Sequence, residues 1–341
     1  MHQAWRFVGG SEPEALALDD ALGHLGAAGD GIVWIDLADA PAEQLHRLDD
    51  AVDLGEFLLE DLREGTADAG QHTKLDQHGT LFHVSVRDCT VAGRRLIERE
   101  IDLVFGSGWL VSVRHPPDRH HGEDPDPFPI DDVTRRLASQ CRHERQIDEG
   151  FVLWAFLDVV TDRLVTVTDT IDERLDETEA LLLDDGVDGR ADLRAGSPRD
   201  LFDTSRLLTT FRHRVIPLRE VVGALLRRED PSIGDPAILH FRDVYDHLLG
   251  VAEVVESQRD VLAGLRDVHL TVVSNQMNRS MQQLAAWGAI LIVATLVTGV
   301  LGMNFRTQPD VSWPVGFLFV IAVIMILSVP MYLLFRRRRW L

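Results

Sequence analysis

Cysteine is nearly missing from this chain: Cys89 and Cys141 are the only two, far apart and outside any CxxC or Cys/His spacing. That excludes a disulfide framework and a zinc knuckle, and reduced thiols are expected. Basic residues are outnumbered, 34 against 55 acidic ones. Nucleic-acid phosphates demand a basic face, so a nucleic-acid partner is excluded. An acidic surface favours cations or simply serves solubility. The first ten residues, MHQAWRFVGG, run into acidic, Ala-rich sequence with no apolar h-region. Membrane insertion is therefore expected to be directed by C-terminal segments. Nucleophile elbow, HExxH, phosphate loop and paired catalytic acids are also missing, which sets enzyme classes aside.

What is present begins with mixed strand and helix signals between Ile32 and Val113. IVWIDL near Ile32, TLFHVSV near Thr80, and IDLVFG with WLVSV at Ile101 to Val113 read as strands. GSG at Gly106 to Gly108 is a hairpin turn between the last two. PAEQLHRLDDAVDLGEFLLEDL has helical spacing, with a proline at its start. HPPDRHHGEDPDPFP, from His115 to Pro129, is a proline-broken loop. Its His115, His120 and His121 are candidate zinc ligands or solvated residues. From Ile130 the pattern turns helical: Ile147 to Leu183, Asp200 to Arg228 with a kink at Pro217, then a helix from Ala237 with no breaker before Val300. At 1.5 Å per residue, roughly 64 residues make about 96 Å. A helix that long is expected to be a stalk running into a bilayer.

Charge disappears near the C-terminus. Leu284 to Leu301 has none over 18 positions and Val315 to Phe335 none over 21. A bilayer core of about 30 Å takes roughly 20 helical residues, so both segments can span it; a buried helical hairpin in a soluble protein is the alternative. Arg336 to Arg339 abut the second segment, and positive juxtamembrane residues stay cytoplasmic. Two spans return the chain to one side, so both termini are expected in the cytosol, the protein in the plasma (cell inner) membrane, and only Gly302 to Pro314 outside.

Taken at intervals of three and four, Asn278, Met281, Leu284, Gly288, Ile292, Thr295 and Gly299 fall on one helical face. Helix packing in lipid explains its small residues as well as a permeation path does. As a path, the Met/Leu/Ile patch gates by dewetting, and amide, hydroxyl and backbone oxygens receive a hydrated divalent ion. Gly302-Met303-Asn304 follows directly, and Asn304 offers a neutral oxygen suited to outer-sphere contact with Mg²⁺.

SNQMNRSMQQL at Ser274 to Leu284, TGVLGMNF at Thr298 to Phe305, a second span and the terminal RRRRWL together resemble the CorA family of magnesium transporters. FRDVYDHLLGVAEVVESQRDVLAGL at Phe241 to Leu265 and LLEDL at Leu58 to Leu62 look like that family too. The resemblance implies a funnel-shaped homopentamer with an α+β cytosolic domain, a mixed sheet with flanking helices, a long stalk helix and two C-terminal transmembrane helices. The chain then divides into residues 1–130 (N-terminal α/β cytosolic domain), 131–236 (cytosolic helical region), 237–283 (stalk), 284–301 (first span), 302–314 (outer loop), 315–335 (second span) and 336–341 (basic tail).

The resemblance also implies roles. Gly302, Met303 and Asn304 are the selectivity motif, and the first span lines the pore through the face from Asn278 to Gly299. Asp267 forms an acidic ring lower in the stalk, and Asp61 and Asp243 hold a regulatory Mg²⁺ between subunits. Without the resemblance, Asp61 and Asp243 read as solvated carboxylates. The chain departs from the family pattern at Leu301, Val293 and QPDV (Gln308 to Val311), and Arg306 stands close to Asn304 with Asp310 as its nearest acid. Transport of Zn²⁺, Co²⁺ or Ni²⁺ by a ZntB-type relative, with or without proton coupling, is the alternative. A non-conducting membrane-anchored sensor is a more remote one.

Overall fold

Between Ile32 and Arg114 the apolar runs pair into the middle of one mixed sheet. A computed structural model describes residues 2–25, 31–64, 73–117, 126–144, 147–188, 198–227, 235–303, 313–338 and 340. Seven strands are found among them: β1 (His2–Phe7), β2 (Glu14–Leu16), β3 (Ile32–Ala38), β4 (Lys74–His78), β5 (Leu81–Ala92), β6 (Arg95–Gly106) and β7 (Trp109–Arg114). They lie in the order β2-β1-β3-β7-β6-β5-β4. Only the β3–β7 pair is parallel. The expected runs became β3, β5, β6 and β7, with Gly108 at positive φ in the last hairpin. The strands β1, β2 and β4 carry too little apolar alternation to announce themselves.

Register separates the sheet's two faces. Val33, Ile35 and Leu37 pair with Trp109, Val111 and Val113 on one side. That side packs against α1 (Leu18–His24), α2 (Ala42–Val52) and α3 (Glu56–Glu64) through Ala21, Leu45, Leu48, Leu58 and Leu62. The stretch with helical spacing forms two helices, α2 and α3. Asp53 takes the left-handed conformation and Gly55 has φ 79°, which a continuing helix does not allow. On the other side Trp34 stacks on Trp5 at 4.5 Å, meets Phe156 edge-on at 5.3 Å and donates its indole N–H to Ser112 Oγ at 3.0 Å.

Buried charges on this second side are paired. Arg114 makes two bonds to Asp36, at 3.0 and 2.6 Å. The fully buried Asp88 carboxylate receives Arg99 and, at 2.6 Å, Arg163 Nε. Removing one partner of a buried pair strands the other's charge and costs about 3–5 kcal/mol. Asp88→Ala is therefore expected to lower the apparent unfolding temperature of the purified protein sharply, whereas a surface change such as Glu43→Ala leaves it in place.

Five longer helices follow: α4 (Ile130–His143), α5 (Glu149–Asp188), α6 (Pro198–Leu226), which runs through Pro217, α7 (Asp235–Leu301) and α8 (Trp313–Arg337). Early in α7, Phe241, Val244, Leu248, Val251 and Val255 are buried at alternating intervals of three and four, the stripe of a helix packed on a core. The chain divides into two units, Met1–Leu181 with Leu193–Ala263, and Leu182–Asp192 with Gly264–Leu341. In the second the pattern inverts. Leu284 is 75% exposed, Ile292 68% and Ile326 69%. Exposed apolar surface on that scale belongs in lipid or against other chains. Two helices, spanning Ala237–Val300 and Gly316–Arg337, are long and apolar enough to cross a membrane.

Candidate functional site

The predicted stripe on α7 has a definite environment in the second unit. Asn278, Met281, Leu284, Ile292, Thr295 and Gly299 are exposed and Gly288 is half-buried. The opposite flank, through Ala286, Ile290, Val293 and Val297, is buried or half-buried. A side chain added at Gly288 or Gly299 would meet nothing within 4 Å. Whatever needs those positions small is outside the single chain. Thr295 Oγ1 donates to Leu291 O at 2.9 Å. With its proton spent on the helix, the hydroxyl presents only lone pairs outward, the polarity a cation or its bound water requires. Asn275, Asn278 and Gln282 line a groove with Trp340 at the foot of this stripe. Gly302 caps the helix by donating its N–H to Thr298 O at 2.9 Å. Asn304, Arg306 and Asp310 lie outside the described residues, as do His120 and His121.

In the first unit the two predicted regulatory carboxylates have partners of their own. Asp61, on α3, accepts from Lys74 Nζ at 2.8 Å, and the same ammonium lies 3.2 Å from Asp76. Burial pulls the Lys74 pKa down, but Asp61 and Asp76 outweigh it and leave it raised. Asp243, exposed on α7, meets His247 one turn on and Asp158 of α5, with their ligand atoms within 4.8 Å of one another. Burial raises the Asp158 pKa, and the charges of Asp162 and Asp243 add to it against the pull of Arg136. Carboxylates crowded this way gain from a nearby cation. Asp61 and Asp243 do not meet within one chain: each belongs to its own cluster. Asp267 is exposed on α7.

A family model described as CorA-like Mg²⁺ transporter protein matches residues 29–337. The chain belongs to that family. It is 32% identical over 216 residues to the cobalt/magnesium transport protein CorA of Thermotoga maritima, an alignment covering 62% of this chain and 60% of that protein. It is 30% identical over 273 residues to the putative metal ion transporter YfjQ of Bacillus subtilis, covering 79% of each. The complete structure of the CorA magnesium transporter from Methanocaldococcus jannaschii matches with a TM-score of 0.76 at 20% identity, over 100% of this chain and 99% of that one. At that identity the likeness establishes the fold: a mixed-sheet domain, a long helix and two candidate C-terminal spans.

Within the CorA family frame, sequence reasoning missed three residues at these two clusters. Lys74 is the only lysine in the chain, a signal that could have singled it out. His247 stands four residues after Asp243, an interval that places both on one helix face. Asp158 lies 85 residues before Asp243 on another helix (243 − 158 = 85), and no local pattern marks it.

Proposed function

We propose that this chain is one subunit of a homopentameric channel that admits Mg²⁺ into the cytosol down the membrane potential. The observation that carries the reading is the exposed α7 face, apolar at Met281, Leu284 and Ile292, then small and oxygen-bearing at Thr295 and Gly299, and followed at once by Gly302-Met303-Asn304. Five copies of that face around an axis put the open space before Gly288 and Gly299 to use. Asn304 amides hold the hydrated ion at the outer mouth, because Mg²⁺ gives up its water reluctantly and outer-sphere contact suits it. Thr295 oxygens receive its water shell further in. The apolar ring below empties of water when narrow, which closes the path without a moving plug. Asp267 concentrates cations at the cytosolic end. Arg336 and Arg337, in the last turn of α8, keep that end and both termini cytosolic.

The driving force needs no coupled hydrolysis. At about 2.3 kcal/mol per charge per 100 mV, a divalent ion gains roughly 4.6 kcal/mol on crossing. Cytosolic Mg²⁺ then bridges Asp61 on one subunit and Asp243 on its neighbour and holds the ring closed, a feedback by the transported ion. The name of the Thermotoga relative includes cobalt, so Co²⁺ and with it Zn²⁺ and Ni²⁺ form the second reading. Purified protein in liposomes, with an inside-negative potential imposed, decides between them. Mg²⁺ influx exceeding Zn²⁺ and Co²⁺ influx is expected. Zn²⁺ flux without Mg²⁺ flux selects the second reading, and absence of any flux leaves a membrane-anchored sensor.

A further inference from the structure

The β4–β5 hairpin brings two imidazoles and a carboxylate to one point, the carboxylate being the Asp76 that also meets Lys74. Gly79, with φ 64°, makes the two-residue turn that sets its register. Asp76 then stands opposite His83, and His78 follows two residues later on the same face. The ligand atoms of Asp76, His78 and His83 lie within 4.8 Å of one another. Asp76 and His78 are half-buried, while His83 is only 1% exposed.

Behind His83 stands a fixed support. Its Nε2 lies 2.9 Å from Oδ1 of Asp102, whose Oδ2 lies 2.8 Å from Nε2 of His115. Asp102 is itself buried and bridges the two rings through its two oxygens. With Nε2 turned to the Asp102 carboxylate, Nδ1 is the His83 ring atom left to face a metal ion. That Nδ1 is buried with no hydrogen-bond partner among the described residues, and so is Nε2 of His78. Leaving such atoms unpaired costs about 1–3 kcal/mol each. Asp76, the third member of the cluster, cannot donate to either as a carboxylate.

We propose that Asp76, His78 and His83 form a binding site for a divalent transition-metal ion of the Zn²⁺ or Co²⁺ class, with Asp102 and His115 orienting the His83 ring. Two imidazoles and one carboxylate suit these borderline ions. Mg²⁺ prefers an all-oxygen octahedron and is a poor occupant. A carboxylate behind a ligating histidine fixes its tautomer and raises its basicity, and loss of such support costs 10–100-fold in metal affinity. One oxygen of Asp76 is held by Lys74 at 3.2 Å, and the other is available to the ion. An ion drawing on Asp76 leaves Lys74 to Asp61, which links this site to the carboxylate assigned above to Mg²⁺.

The test uses full-length protein in detergent, stripped by chelation and then titrated with Co²⁺ or Zn²⁺ in excess Mg²⁺, which fills oxygen-only sites. Visible absorption of imidazole-ligated Co²⁺ that persists in His247→Gln is expected, displaced by Zn²⁺ and accompanied by a rise in unfolding temperature. His78→Gln and Asp76→Asn, both at half-buried positions, are each expected to weaken Zn²⁺ binding at least about tenfold and to remove that rise. His143→Gln, at the end of α4, leaves both unchanged. Equal Zn²⁺ stoichiometry and affinity in the wild type and His78→Gln would overturn the assignment and leave the ring nitrogens to water. The readout is equilibrium binding, so its failure is separate from any failure of transport.

Discussion

Asn304→Ala is expected to abolish selective Mg²⁺ influx into liposomes while the protein still assembles. The reason is the weakness and number of the contacts. An amide oxygen accepting from a water of hydrated Mg²⁺ contributes about 1 kcal/mol, too little to matter once. In the proposed pentamer five of them sum to about 5 kcal/mol, or roughly 4 × 10³ in ion occupancy. Alanine offers no oxygen, and Arg306, two residues on in sequence, carries a positive charge that repels cations. The measurement is Mg²⁺ influx against an impermeant dye, with assembly checked by light scattering. Undiminished, still Mg²⁺-selective influx in the variant refutes the assignment of Asn304 as the residue that reads the hydrated ion.

The second large effect concerns closure. Asp61→Ala combined with Asp243→Ala is expected to raise the cytosolic Mg²⁺ concentration needed for half-inhibition by at least about tenfold. Like charges about 4 Å apart repel by about 4 kcal/mol at an effective dielectric constant near 20, so carboxylates facing each other across subunits separate unless a cation joins them. The structure adds a competitor. Lys74 already holds Asp61 at 2.8 Å, so Mg²⁺ must displace or share with an ammonium. Lys74→Gln is expected to act in the opposite direction, lowering the half-inhibiting concentration. Opposite shifts in the two variants distinguish a bridged ion from a general loosening of the domain, which would move both the same way. An unchanged inhibition curve in the double variant sinks the sensor assignment.

Much of the architecture was legible along the chain. The two spans, the length of α7 and the strands β3, β5, β6 and β7 follow from hydropathy and periodicity, which are one-dimensional properties. The helix break at Asp53-Leu54-Gly55 was signalled by its glycine but hidden by continuous helical spacing on either side. Strand β4, KLDQH, holds a single apolar residue and becomes a strand because its backbone pairs with β5. Tertiary pairing decided it against its own pattern. The α7 face was read from spacing alone, since a helix presents every third or fourth residue on one side whatever surrounds it.

By itself the sequence determined which segments can enter a membrane, which residues share the α7 face, and, through Gly302-Met303-Asn304 and its neighbours, the family. Each of those depends on residues close in the chain, where covalent geometry sets the distances. Only the folded chain decided how the dispersed charges combine: Lys74 between Asp61 and Asp76, Asp158 beside Asp243, Asp102 between His83 and His115. These partners come together through sheet register and helix docking, which bring residues distant in sequence within a few ångströms. Whether a carboxylate is solvated, neutralised or poised for a metal is settled by those few ångströms.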